Sequence, residues 1–132
     1  MYKVSLAIPI YNVSLFVERA LLSVLNQTYD NIEYLIVDDK GQDDSMDIVH
    51  RIIKDHPRGK DVRIIEHPYN IGLGATRNTA IDNAQGEYLF FMDSDDEIIP
   101  TCIEILVHKM QEHPVDFIAA SHMKKDLSGK TY

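Results

Sequence analysis

Short apolar runs alternate along the chain with amphipathic stretches of helical period. Val4-Ser-Leu-Ala-Ile-Pro-Ile10 reads as a first strand. Pro9 is expected to end it, because proline brings no N–H to the ladder. Within 14–26, Val17, Ala20, Leu21, Val24 and Leu25 share one helix face. Glu33–Val37 is a second strand that runs into Asp38-Asp39. The polar stretch 40–45 contains Gly41 and reads as a loop. Asp43, Asp44 or Ser45 can cap a second helix over 45–56, with Val49, Ile52 and Ile53 on its inner face. Pro57–Gly59 stops that helix. Val62–Ile65 is a third strand, and a loop with Gly72 and Gly74 leads to a helix over 74–84, ended by Gly86. Tyr88–Met92 is apolar throughout, the pattern of a strand covered on both faces. Pro100 opens a fourth helix with Ile103, Leu106, Val107 and Met110 on one face, and Asp116–Ala120 is a fifth strand.

Five alternations of strand and helix with short connections predict an α/β fold: a Rossmann-like, mostly parallel sheet with helices on both faces. The expectation is one domain over residues 1–132. Ligands of such sheets sit outside the carboxyl ends of the strands. Tyr11 and Asn12 follow the first strand, Asp38 and Asp39 the second, Asp93 and Asp95 the fourth. Three separate segments therefore converge on one edge.

The 45% hydrophobic content is enough for a core, and 21 acidic against 13 basic residues give a formal charge of −8. That balance argues against nucleic acid and anionic membranes as partners. It is compatible with a phosphorylated ligand held through a bridging cation. A lone cysteine, Cys102, allows no internal disulfide and fits a reducing compartment. The six histidines show no zinc spacing, and most read as surface or helix-end residues. No apolar run approaches the roughly 20 residues that span a bilayer. Val4–Ile10 is too short for a secretory leader. A cytoplasmic protein is expected, with no transmembrane segment in this chain.

Asp93-Ser94-Asp95 places two carboxylates one residue apart on a strand-to-loop turn. They repel each other unless they share a cation. Hard oxygen ligands suit Mg2+ or Mn2+, which keep positions open for phosphate oxygens. The same residues can instead cap the fourth helix, and local sequence leaves both readings open. Asp96 and Glu97 read as capping or solvent residues. Asp39 can accept a hydrogen bond from a base edge or cap the turn at Gly41. Tyr11 can stack on a nucleobase or pack over the sheet end. Asn12 reads as a turn residue. Arg77 can face a phosphate or pin one of the aspartates. The glycines at 72 and 74 are not a dinucleotide fingerprint, since a third glycine is missing and the first strand does not precede them.

The order and spacing of these segments say more than each alone. Pro9-x-Tyr11-Asn12, Val37-Asp38-Asp39, Asn70-x-Gly72-x-Gly74-x-x-Arg77-Asn78 and Gly86-Glu-Tyr-x-Phe-x-x-Asp93-Ser-Asp95-Asp96 resemble the family 2 glycosyltransferases of GT-A fold over nearly the whole chain. The resemblance implies the nucleotide-binding half of that fold. Pro9, Tyr11, Asn12 and Ser94 would line the nucleotide, with Tyr11 against the base. Asp39 would hydrogen-bond the base, and Arg77 would lie near base and ribose. Asp95 would be the principal ligand of Mn2+ or Mg2+, and Asp93 would contact ribose or metal. The donor would be a nucleotide-diphosphate sugar, a UDP-sugar first, for inverting transfer to a hydroxyl of a glycan, lipid or other acceptor. The full-length protein would be cytoplasmic, or membrane-associated.

Two departures stand out. The family's Gly-Ser-x-Asp after the paired acids is here Lys40-Gly41-Gln42-Asp43, which adds a charge beside the expected base site. The family's catalytic base lies in a later, acceptor-binding segment, and neither Asp116 nor Asp126 is assigned that role. The expectation is a chain that stops short of that segment. A non-catalytic nucleotide-sugar binding module remains open. A phospho-acceptor signalling domain fits poorly: its paired acids would follow the first strand, where Pro-Ile-Tyr-Asn stands, and Ser121-His122-Met123 precedes the Lys124 expected directly after the fifth. A nucleotidyltransferase would carry a Gly-rich basic loop after the first strand.

Overall fold

The computed structural model describes residues 2–112. Strands β1 (Val4–Ile10), β2 (Ile32–Asp38), β3 (Val62–Glu66) and β4 (Tyr88–Phe91) form one sheet in the order β3-β2-β1-β4. Every pairing is parallel. Helices α1 (Val17–Leu25), α2 (Ser45–Asp55), α3 (Leu73–Asn83) and α4 (Cys102–Glu112) complete the described fold. The predicted fifth strand, Asp116–Ala120, lies outside the described residues.

Alternation along β1 and β2 divides the core in two. Leu6, Ile8 and Ile10 with Tyr34 and Ile36 face α1, α2 and α4, through Leu21, Val49 and Ile103 among others. Each such fully buried leucine or isoleucine is worth about 1.5–3 kcal/mol over an exposed one. On the other face Ala7, Leu35 and Val37 meet Ala80 of α3. Two alanines at that contact let α3 sit close to the sheet. No described helix is long and apolar enough to cross a membrane.

Two local expectations are corrected and a third is qualified. Pro9 does not end β1: it pairs in register with Val37. The Ala7 carbonyl points toward β4, where it accepts the Met92 N–H, so Pro9, two residues on, has its missing donor on that same side. The β1–β4 ladder has already stopped at Ala7 and Phe91, so no rung is lost. Second, β4 is an edge strand of the described sheet and none of its four residues is fully buried; Phe91 is exposed. Its apolar run is nonetheless packed on both faces, since Phe90 meets the larger core cluster and Leu89 the smaller one on the opposite face. Third, α1 begins at Val17 rather than 14, after a turn in which the Phe16 and Val17 N–H groups donate to the Val13 carbonyl.

From β1 the chain crosses to β2 and β3 on one side and reaches β4 on the other. The order thus reverses beside β1, which leaves a crevice at the carboxyl ends of β1 and β4.

Candidate functional site

The turn after β1 is fixed from the α2 side. Asn12 adopts φ 51°, a left-handed conformation that asparagine tolerates. Its Oδ1 accepts the Gln42 N–H at 2.7 Å. The Val13 N–H donates to Ser45 Oγ at 2.9 Å and the Ser14 N–H to Asp43 Oδ2 at 3.0 Å. Asp43 Oδ1 also accepts the Ser45 N–H and hydroxyl. Tyr11, exposed at the crevice mouth, is thus carried on a tied loop. Gly41 permits this approach: a Cβ there would stand 2.6 Å from Asn12 Oδ1 and 2.9 Å from the Asn12 nitrogen. Gly41→Ala is expected to cost about 1–3 kcal/mol of stability, the usual cost of overpacking, measured by urea denaturation. An unchanged midpoint would refute the contact. Lys40, at φ 55°, turns its Nζ to Glu66 Oε1 at 2.6 Å, which satisfies the extra charge outside the crevice.

Asp39 closes the second corner. It is 2% exposed and accepts four hydrogen bonds from the neighbouring β3–α3 connection. His67 Nδ1 and the Ile71 N–H reach Oδ1, both at 2.9 Å. Asn70 Nδ2 at 2.7 Å and the Gly72 N–H at 3.0 Å reach Oδ2. A carboxylate offers about four acceptor sites, so this one is filled. Its capping partner is therefore the Asn70–Gly72 loop rather than the turn at Gly41. The adjoining turn is capped by Asp38, whose Oδ1 accepts the Lys40 N–H. Gly72, at φ 96°, gives the loop its left-handed exit into α3.

Burial alone would raise the Asp39 pKa, but the bonds from His67, Ile71 and Gly72 hold it below the usual carboxylate range. For Asp43 burial again works upward, and the bonds from Ser45 and Ser14 prevail. Both folded values lie below the unfolded ones. Their stabilisation is therefore full above about pH 4 and is lost as pH falls through the folded values. The thermal midpoint is expected to drop on acidification below about pH 4, and to drop less in Asp43→Asn.

The third corner follows β4. The Met92 N–H bonds to the Ala7 carbonyl on its entry side. On its exit side the Ile98 N–H donates to Ser23 Oγ, and buried Gln27 donates to the Ile99 carbonyl and accepts the Ile103 N–H. Between these anchors the Asp96 N–H donates to the Asp93 carbonyl at 3.0 Å, making a tight turn. The turn gathers carboxylate oxygens of Asp93, Asp95 and Asp96 within 4.8 Å of one another, all exposed. Asp96, read from sequence as a capping or solvent residue, thus joins the acidic group. No described residue gives the Asp93 or Asp95 carboxylate a cationic or donor partner. Exposed hard oxygens at this spacing fit a divalent cation.

A cleft of about 460 Å³ joins the three corners. Pro9, Tyr11, Asp39, Asp93, Ser94 and Asp95 all line it, as the sequence suggested. Asn12 does not; it organises the loop beneath Tyr11. Arg77, exposed in the second turn of α3, lines a small adjoining pocket with Pro9 and Asp93. No ion pair between it and the aspartates occurs among the described residues, so it does not pin them. Sequence reasoning overlooked Asn70, Gly72 and Thr76 as lining residues. It also read most histidines as surface or helix-end residues and singled out none, whereas His67 is 5% exposed. The missed signal was position: His67 is the first residue past β3, level with Asp39 past β2.

A parallel sheet of this order, with an acidic turn after β4 facing an aromatic turn after β1, is the nucleotide-binding half of a GT-A fold. The sequence profile of "Glycosyl transferase family 2" matches residues 5–132, and the chain belongs to that family. It is 37% identical over 130 residues to Escherichia coli WfaP, named UDP-Glc:alpha-D-GlcNAc-diphosphoundecaprenol beta-1,3-glucosyltransferase, covering 96% of this chain and 49% of WfaP. S. aureus TarS in complex with UDP-GlcNAc superposes at a TM-score of 0.76 with 28% identity, over 84% of this chain and 32% of that one. The mannosyltransferase PcManGT from Pyrobaculum calidifontis, in complex with GDP-Man and Mn2+, gives a TM-score of 0.68 with 26% identity, over 73% and 28%. The chain spans about half, or less, of the curated relatives it matches.

Proposed function

We propose that this chain binds a UDP-sugar through Mn2+ or Mg2+ and serves as the donor half of an inverting glycosyltransferase that acts on a hydroxyl acceptor. The observation that carries the reading is the cleft itself. It sets an exposed tyrosine opposite a cluster of exposed carboxylates, with glycine-bearing backbone between them. Tyr11 offers a ring face for uracil, a contact worth about 1–3 kcal/mol per stacked base. Asp93, Asp95 and Asp96 would hold the cation, and Ser94 and Gly72 would line the ribose and phosphate path. Arg77 would contribute positive charge beside that path. The bound cation would neutralise the diphosphate as the sugar departs. The homologous complexes with UDP-GlcNAc and with GDP-Man and Mn2+ support both the ligand class and the metal.

The carboxylates that line the cleft are Asp39, Asp93 and Asp95. Asp39 is saturated by internal hydrogen bonds and the other two face the cation. None of them is assigned as the base that would deprotonate the acceptor. A nucleotide-sugar donor and a free thiol suit a cytoplasmic reaction.

The test is a calorimetric titration of UDP in Mn2+ and in EDTA, for wild type and Asp95→Ala. Binding that needs Mn2+ and is lost in the variant is the expected result. Equal binding in EDTA, or no binding by wild type, would reject the reading.

A further inference from the structure

We propose that His67 is a positioning residue of the donor site, holding Asp39 and through it the Asn70–Gly72 wall of the cleft. This inference rests on the donor-binding reading for its functional consequence, though not for its geometry. The His67 backbone N–H donates to the Asp38 carbonyl at 2.9 Å, which extends the β2–β3 ladder one step past β3. The ring then bridges three elements. Nδ1 meets Asp39 Oδ1 at 2.9 Å at the end of β2, and Nε2 meets Thr79 Oγ1 at 2.8 Å on α3. Asp39 and His67 are both buried, so this bond is shielded from water and is made at close to full strength.

The proton positions follow from the partners. An ionised carboxylate only accepts, so Nδ1 carries the proton that faces Asp39. The Thr79 hydroxyl has two acceptors within reach, Nε2 and the Ala75 carbonyl at 3.0 Å. With a neutral ring it donates to Nε2. With a protonated ring it turns to Ala75 and accepts from Nε2–H. The bond to Asp39 is the same in either state, so Asp39 keeps its orientation. Asp39 in turn receives the Ile71 and Gly72 N–H groups, and Asn70 and Gly72 line the cleft. Without His67, the Asp39 side chain loses the only one of its four donors that lies outside the loop it holds.

Two half-replacements separate positioning from space-filling. In His67→Asn the amide nitrogen lies where Nδ1 lies and still donates to Asp39. In His67→Gln the amide reaches the Thr79 side instead. The measurements are amide hydrogen exchange at Ile71 and Gly72 without ligand, and UDP affinity in Mn2+. His67→Asn is expected to keep both amides protected and to bind UDP within about threefold of wild type. His67→Gln is expected to lose protection and affinity by about tenfold, the equivalent of roughly 1.4 kcal/mol. Equal behaviour of the two variants, in either direction, overturns the inference. If wild type binds no UDP, the donor-site reading fails, while the exchange data still decide whether His67 positions the loop.

Discussion

Asp39→Ala is expected to lower the unfolding free energy by about 3–5 kcal/mol, because several donors lose one shared buried acceptor together. The size follows from what would remain. His67, Asn70 and the N–H groups of Ile71 and Gly72 would all lose their acceptor at once, and His67 is as buried as Asp39 itself. Each donor left unsatisfied in a buried setting costs about 1–3 kcal/mol, reduced where water can enter. The loop donors border the cleft and will be rehydrated, so the total should fall short of their sum. A urea denaturation curve reads this directly: the midpoint should fall with little change in slope. A loss below about 1 kcal/mol would mean that the loop is held by other contacts.

The second large effect is Asp95→Ala, and its sign should depend on the metal. With Mn2+ present, UDP affinity is expected to fall by about 100-fold, since the cation proposed to bind beside the diphosphate would lose a charged ligand. In EDTA the same substitution should leave UDP binding equal or slightly tighter, because it removes one negative charge from a cluster within 4.8 Å that repels phosphate. Stability in EDTA should not fall, as Asp95 is exposed and no described residue partners it. Affinity losses of the same size in both buffers would show that Asp95 contacts the nucleotide itself or supports the fold.

The two residues behave oppositely because their surroundings do. Asp39 fills its acceptor sites inside the protein, and Asp95 meets no partner among the described residues. The sequence presents both as aspartates at the end of an apolar strand, and nothing local distinguishes them. Their difference comes from the β3–α3 connection, which folds back over β2 but leaves the turn after β4 open. The same holds for Lys40, whose added charge beside the crevice is removed by Glu66, a partner 26 residues away at the end of β3.

Patterns with short range were legible in the chain. Apolar runs and helical periodicity located all four described strands and helices within a few residues, because burial of one face demands that spacing. Alternation of strand and helix gave the parallel sheet, and the parallel sheet put Tyr11, Asp39 and Asp93 on one edge. Pro9 misled because a missing donor matters only where a neighbouring strand is present, and that depends on where β4 stops.

Asp93-Ser94-Asp95 was ambiguous between metal site and helix cap as a sequence. The tertiary structure anchors the following segment on Ser23 and Gln27 and leaves the Asp93 and Asp95 carboxylates facing the cleft without partners among the described residues, the arrangement on which the proposed metal site rests. Periodicity and chemistry along the chain thus determined the fold class and the edge that carries the site. Which acid is saturated, which is free, and which histidine is buried beside them depended on contacts between residues far apart in sequence, since hydrogen-bond supply at each position is a property of the assembled neighbours.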